Sequence, residues 1–228
     1  MPLIKFFSIF FKTFYSMILF LVLPKNQKQL CKKDWACSIL KDFGYQLNIS
    51  GHFETKNEGL ILIGNHISFL DILVLMSQNP NIIFIAKKEI KSWPIIGWAA
   101  TVVGTIFVDR NKHSIKIELQ KNIIQSVVEK GAFLVVFPSG TTQLTEELTW
   151  KKGIFKIAHK HSISVQSFKI SYTPHRESAY IDDDQLFSKI LKILSLKNKT
   201  ASLKWLDRFS INDPLLEPES IRQSVNLA

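Results

Sequence analysis

LILIGNHISFLDILVL, residues 60–75, runs four apolar residues into a polar turn and then into a second apolar segment. Leu60–Ile63 is short and continuously apolar, the pattern of a strand buried on both faces. Phe69–Ser77 has helical spacing; Ser68 stands at its N-cap with Asp71 one turn inside, the S-x-x-D pattern. A strand leading through a polar turn into a helix is the first half of a βαβ unit, so this stretch predicts an α/β fold. It also places His66 and Asp71 where both are penalised. Burial costs an unpaired polar group roughly 1–3 kcal/mol, and a bare charge far more, so the two need each other or a ligand.

The alternation continues outward. Strands are expected at Tyr45–Ser50, Leu60–Ile63, Ile82–Ala86, Thr105–Val108, Phe133–Phe137, Ile163–Ile170 and Leu203–Phe209. Helices are expected at Phe69–Ser77, Pro94–Val102, Ser114–Lys130, Gly153–His161 and Gln185–Leu194. The expected fold is α/β, a largely parallel mixed sheet flanked by helices over residues 45–212. A membrane-anchoring helix pair at 1–44 precedes it, and a tail at 213–228 reads as loose.

The first segment, PLIKFFSIFFKTFYSMILFLVL, is nearly all apolar and aromatic, broken by Lys5 and Lys12 and followed by Pro24. At 1.5 Å per residue it barely crosses a bilayer core of about 30 Å, and Lys12 opposes a clean span. A helix in the interface, or tilted with Lys12 snorkelling, is expected as a retained anchor in preference to a signal peptide. KNQKQLCKK then reads as a juxtamembrane patch for anionic lipid. Trp35, Ala36, Ile39, Leu40 and Phe43 continue at helical spacing to Gly44, a C-terminal cap. With 29 Lys+Arg against 19 Asp+Glu, net +10, the chain calls for an anionic partner. Cys31 and Cys37 fit neither a zinc knuckle nor a redox pair and read as reduced thiols.

In open α/β sheets ligands sit beyond the carboxyl ends of the strands. There the sequence collects Asn65 and His66, Lys87 and Lys88, Asp109 and Arg110, and Pro138 to Thr142. A His two residues before the cap can fold back so that Asp71 accepts its Nδ1 proton and leaves Nε2 as a base. The plainer alternative is a cap with a core histidine. The chain has no G-x-S-x-G, HExxH or P-loop. Ser68 and Ser139 each have a local turn or cap explanation, so a dyad here would activate a hydroxyl brought by a substrate. His159 and His161 fall on different faces of a helix and read as surface residues.

Together these segments resemble the glycerolipid acyltransferase family, as in bacterial 1-acylglycerol-3-phosphate acyltransferases. The family's N-H-x4-D is met by Asn65, His66 and Asp71, and its G-x-x-F-x-x-R by Gly104, Phe107 and Arg110. Its F-P-E-G-T-R is met by Phe137, Pro138, Gly140 and Thr141. Lys152 and Gly153 match the helix start that follows. Two positions depart: Ser139 stands for the motif Glu and Thr142 for the motif Arg. The fourth motif appears only as ISVQSFKI, polar and proline-free. Thr142 and the segment YIDDDQLFSKILKILSL are similar to relatives acting on lyso-ornithine lipids.

The resemblance implies acyl transfer from acyl-ACP or acyl-CoA to a lysolipid hydroxyl, first 1-acylglycerol-3-phosphate, at the cytoplasmic face of the cell membrane. It implies His66 as base, Asp71 as its orienter and Arg110 on the acceptor's anionic head group. Asn65, Lys87, Gly104, Phe107, Pro138, Ser139, Gly140 and Thr141 are the other implied substrate-binding residues, with backbone N–H groups near Gly140 and Thr141 adding to an anion site. No metal or organic cofactor and no nucleic acid is expected. A catalytically silent lipid binder and a basic nucleic-acid binder are the rival classes, the second motivated by net charge alone.

Overall fold

The computed structural model describes residues 2–53, 55, 58–93, 96–108, 115–181 and 184–228. Two helices lead, α1 (Pro2–Val22) and α2 (Lys25–Phe43), the second closed by a left-handed Gly44 whose N–H reaches Leu40 O and Lys41 O. Then follow β1 (Tyr45–Ser50), β2 (Leu60–Gly64), α3 (Leu70–Met76), β3 (Ile82–Lys87), α4 (Ile96–Val102), β4 (Ile106–Val108) and α5 (Ile115–Ile124). The chain continues through β5 (Phe133–Val136), α6 (Gly153–Lys160), β6 (Val165–Thr173), α7 (His175–Ser178), α8 (Leu186–Ser195), β7 (Lys199–Phe209) and α9 (Glu217–Leu227).

The strands form one sheet in the order β1-β7-β6-β2-β5-β3-β4. All pairs are parallel except β6 with β7. The expected mixed, largely parallel sheet is therefore present, with β1 and β7 as a reversed pair at one edge. β2 runs near the middle and is buried throughout. Leu60 and Leu62 pack into a core with α2, α3 and α8, whereas Ile61 and Ile63 face a second core with α5, α6 and α9. Two covered faces explain why the strand needs apolar residues at every position. Gly64 ends it where β6 comes close: a Cβ there would stand 2.4 Å from Phe168 O.

Several expectations change. The helix expected over Ser114–Lys130 runs as α5 and then widens into a π turn at Gln125–Glu129, with Val127 buried. Residues 217–227, expected within a loose tail, form α9 and bury Pro218 and Val225. The last strand also begins earlier than expected: β7 starts at Lys199, whose Nζ donates to Ile193 O at 2.8 Å.

Helix α1 lies beside α2 and α8. Lys12 does not stand alone: its Nζ is 2.7 Å from Asp42 Oδ1, and Ser8 donates to Asp42 Oδ2 at 2.9 Å. Trp35 donates to Thr13, and Phe6 meets Phe187 edge-on at 5.1 Å. The opposite side exposes Leu3, Ile4, Phe7, Phe10, Phe11, Phe14, Tyr15, Ile18, Leu21 and Val22.

Candidate active site

Beyond Gly64 the chain leaves the sheet, and Asn65 fixes its exit. The Asn65 Nδ2 donates to Ile170 O and its Oδ1 accepts the Ile170 N–H, both at 2.8 Å. Asn65 was expected to bind substrate; in the structure its buried amide clamps β2 to β6.

The turn closes on Asp71. One carboxylate oxygen, Oδ2, accepts the N–H groups of Ile67 at 2.7 Å and Ser68 at 3.0 Å, and lies 2.7 Å from His66 Nδ1. The other, Oδ1, accepts the Tyr172 hydroxyl at 2.6 Å. Four donors account for a carboxylate that is 0% exposed. The Ser68 hydroxyl makes only a long 3.4 Å contact to Leu70 N, so the carboxylate is the main closure of the helix entry. Burial first, then the Asp71 charge, raise the Tyr172 phenol well above its ordinary range and keep it a donor.

Since a carboxylate accepts, Nδ1 of His66 carries the proton. Nε2 makes no hydrogen bond among the described residues, and the side chain is 18% exposed. Its ring plane is set by Phe137 at the end of β5, stacked at 3.9 Å and 9°. An imidazole held at Nδ1 from behind, with Nε2 open, has the geometry to take a proton from a hydroxyl brought to it.

The backbone of His66 is held from the loop after β5. Gln143 donates its N–H to His66 O at 2.8 Å, and the His66 N–H points to Glu146 Oε2 at 3.3 Å. Glu146, 4% exposed, also accepts from the Trp150 indole at 2.8 Å and from the Ser139 hydroxyl. Its burial raises the carboxyl above its usual range, and those donors oppose the rise. The Ser139 hydroxyl has Thr141 O within 3.1 Å as a second acceptor. Sequence reasoning found neither Glu146 nor Tyr172. Nothing distinguishes Glu146 from its exposed neighbour Glu147 before the fold is known, and Tyr172 follows the segment that departs from the fourth motif.

The other expected residues divide by strand. Pro138 is buried, its carbonyl accepting the Lys151 N–H at 3.0 Å; Thr141 is exposed beside it. Gly140 has φ +79, a conformation that favours glycine, and its N–H goes to Phe137 O at 3.0 Å. That N–H closes the turn. Lys87, Gly104 and Phe107 lie on or beside β3 and β4, across β5 from His66. Lys87 ends β3 in register with Val108, Gly104 turns the chain out of α4, and Phe107 has Lys91 Nζ 5.9 Å from its ring centre. Asp109 and Arg110 lie outside the described residues. Among the described residues no cluster of His, Cys, Asp or Glu fits a metal ion.

A family model described as Acyltransferase matches residues 46–171. The lyso-ornithine lipid O-acyltransferase of Pseudomonas aeruginosa is 28% identical over 196 residues, 84% of this chain and 70% of that protein. The 1-acyl-sn-glycerol-3-phosphate acyltransferase of Saccharomyces cerevisiae is 32% identical, over 69% of this chain and 54% of its own length. The lyso-ornithine lipid O-acyltransferase of Rhizobium meliloti is 33% identical, over 68% and 55%. The chain thus spans about half the length of the latter two relatives. In fold it is similar to the crystal structure of the 1-acyl-sn-glycerophosphate acyltransferase PlsC from Thermotoga maritima. The TM-score is 0.67 at 15% identity, covering 100% of this chain and 95% of that one. Because the family match takes in the exits of β2 and β5, where His66 and Phe137 meet, and more than half of the residues, this chain belongs to the acyltransferase family.

Proposed function

We propose that the chain transfers a fatty acyl group from an acyl thioester, acyl-ACP or acyl-CoA, to the hydroxyl of a lysolipid. The observation that carries this reading is the His66–Asp71 pair at the exit of β2, with Nδ1 committed to the carboxylate and Nε2 open. Nε2 takes the acceptor's hydroxyl proton as the oxygen attacks the thioester carbonyl. The carbon–sulfur bond then breaks, and the imidazolium returns the proton to the departing thiolate. Asp71 stabilises the imidazolium between these steps, and no covalent enzyme intermediate is needed.

The first acceptor is 1-acylglycerol-3-phosphate, in keeping with Arg110 as the motif cation and with the relative from yeast. Lyso-ornithine lipid is the second reading. It is favoured by Thr142 in place of the motif Arg and by the Pseudomonas and Rhizobium relatives.

The acceptor is a lipid, and α1 offers a wide apolar face for reaching it. The ion pair of Lys12 with Asp42 ties the other side of that helix to α2, which carries Lys28, Lys33, Asp34 and Lys41. A helix bound along so polar a neighbour lies in the interface rather than across the hydrocarbon. In this reading the chain works as a membrane-associated enzyme, on the cytoplasmic face.

Thiol release from acyl-ACP and acyl-CoA, by detergent-solubilised protein with a panel of both acceptors and common lysophospholipids, tests the reading. Acceptor-dependent release lost in His66→Ala supports it and names the acceptor. Equal release by His66→Ala overturns the role of the base, and no release by folded protein with any acceptor favours the silent binder.

A further inference from the structure

β2 ends at Gly64, so the peptide groups of His66 are beyond the reach of the sheet's own hydrogen bonds. The loop after β5 takes over. It grips the His66 peptide groups on both sides, through Gln143 N–H on the carbonyl and Glu146 Oε2 on the N–H. Glu146 in turn is fully engaged: Trp150 donates to Oε1, the Ser139 hydroxyl to the carboxylate, and its own backbone carbonyl is held from α9. There Arg222 donates to Glu146 O through its guanidinium, and Asn226 Nδ2 does so at 3.1 Å. Arg222 is itself paired with Glu219. A buried carboxylate met by donors on all sides is costly to desolvate, and a neutral side chain would hold a loop with less penalty. Its placement against the backbone of His66 is what a purely stapling role does not require.

We infer that Glu146 is a positioning residue for the acyl-transfer base, locking the His66 peptide and the Ser139 turn together while α9 braces it from behind. The inference rests on the acyl-transfer reading above. Glu146 does not touch the substrate. It acts through His66, by fixing where the imidazole starts, and by placing a negative charge near it. The charged and titratable groups facing it are His66 from the β2–α3 turn and Arg222 from α9.

The test is Glu146→Gln, with Trp150→Phe as a second variant that removes one donor to the same carboxylate and keeps an aromatic ring. Glutamine keeps the shape but turns an NH2 toward a site lined with donors, so the grip on His66 loosens. The expected result for Glu146→Gln is a fall in kcat of about tenfold to a hundredfold, with KM for the acceptor within about twofold. Trp150→Phe changes kcat in the same direction by less. Melting temperature and near-UV circular dichroism are read on both variants.

Three results overturn the inference: unchanged kcat in Glu146→Gln, a fall in kcat matched by loss of folded protein in both variants, or a KM for the acceptor that rises as far as kcat falls. A His66→Ala control separates this from failure of the underlying reading. If that control keeps full acceptor-dependent activity, the base assignment itself is wrong; if it is inactive while Glu146→Gln is normal, only the positioning role fails.

Discussion

The two halves of the candidate site are built in opposite ways. The β2–α3 turn, residues 64–71, closes largely on itself, since Asp71 gathers the N–H groups of Ile67 and Ser68 and the ring of His66 within a few residues. The 137–150 loop is assembled from a distance: the Glu146 carboxylate takes the Trp150 indole, and its backbone carbonyl is held from α9, 76 residues ahead at Arg222. A locally closed turn can be read from spacing, because the partners are neighbours in the chain. A remotely braced loop cannot, because the residues that make Glu146 a buried acceptor are scattered over the sequence.

The largest effect should come from breaking the local half at its centre. Asp71→Asn keeps the volume but presents an NH2 to Ile67 N, Ser68 N or the Tyr172 hydroxyl, and it removes the charge behind the imidazole. Acyl transfer should fall by roughly 10²–10⁴-fold, measured as acceptor-dependent thiol release in protein whose circular dichroism remains native. Activity within tenfold of the parent would mean that the pairing is structural.

Tyr172→Phe asks how self-contained that half is, since Tyr172 reaches Asp71 from β6. Losing a hydrogen bond to a charged group costs about 1.5–3 kcal/mol of stability. The contact of Asp71 with His66 stays, so acceptor-dependent thiol release should fall by less than in Asp71→Asn. A loss as large as that of Asp71→Asn would show that this half is not closed on itself.

Arg222→Ala weakens the remote half alone. It removes a donor from the Glu146 carbonyl without touching the carboxylate, so kcat should drop by less than about tenfold and stability by about 1–2 kcal/mol. A larger kinetic loss than in Glu146→Gln would move the centre of the brace from the carboxylate to α9.

The smallest effect lies outside the site. Burial lowers Lys32 to about 8, and burial followed by the nearby Lys5 charge lowers Lys199 to about 8, from 10.5 in each case. Between those values the unfolded chain binds more protons than the folded one, so stability should rise with pH from about 8 toward 10.5. Melting temperature followed from pH 7.5 to 9.5 checks this, and Lys32→Met should flatten part of the rise.

The same division governs what could be read in advance. The strands were legible because a sheet covered on both faces demands unbroken apolar runs, and LILI, IIFI and FLVV have them. His66 and Asp71 were legible as a pair, and the geometry bears out the contact. The clamp made by Asn65 was not legible, because its partner, Ile170, lies on a strand 105 residues away. The Gly140 N–H bond to Phe137 O likewise shows only once the turn after β5 is seen. The α9 segment looked loose since its buried residues, Pro218 and Val225, are few and its purpose lies in what it presses against.

The stacking of His66 on Phe137 bears on the energy of the proposed transfer as well as on its geometry. The two flat rings lie face to face at 3.9 Å. In the proposed reaction an imidazole that takes the acceptor's proton would become a cation over the electron-rich face of a benzene ring, an attraction that a neutral pair does not have. A contact that strengthens only while charge is present lowers a barrier without tightening the ground state. On that proposal Phe137 places an aromatic quadrupole where the transition state, and not the resting enzyme, draws on it.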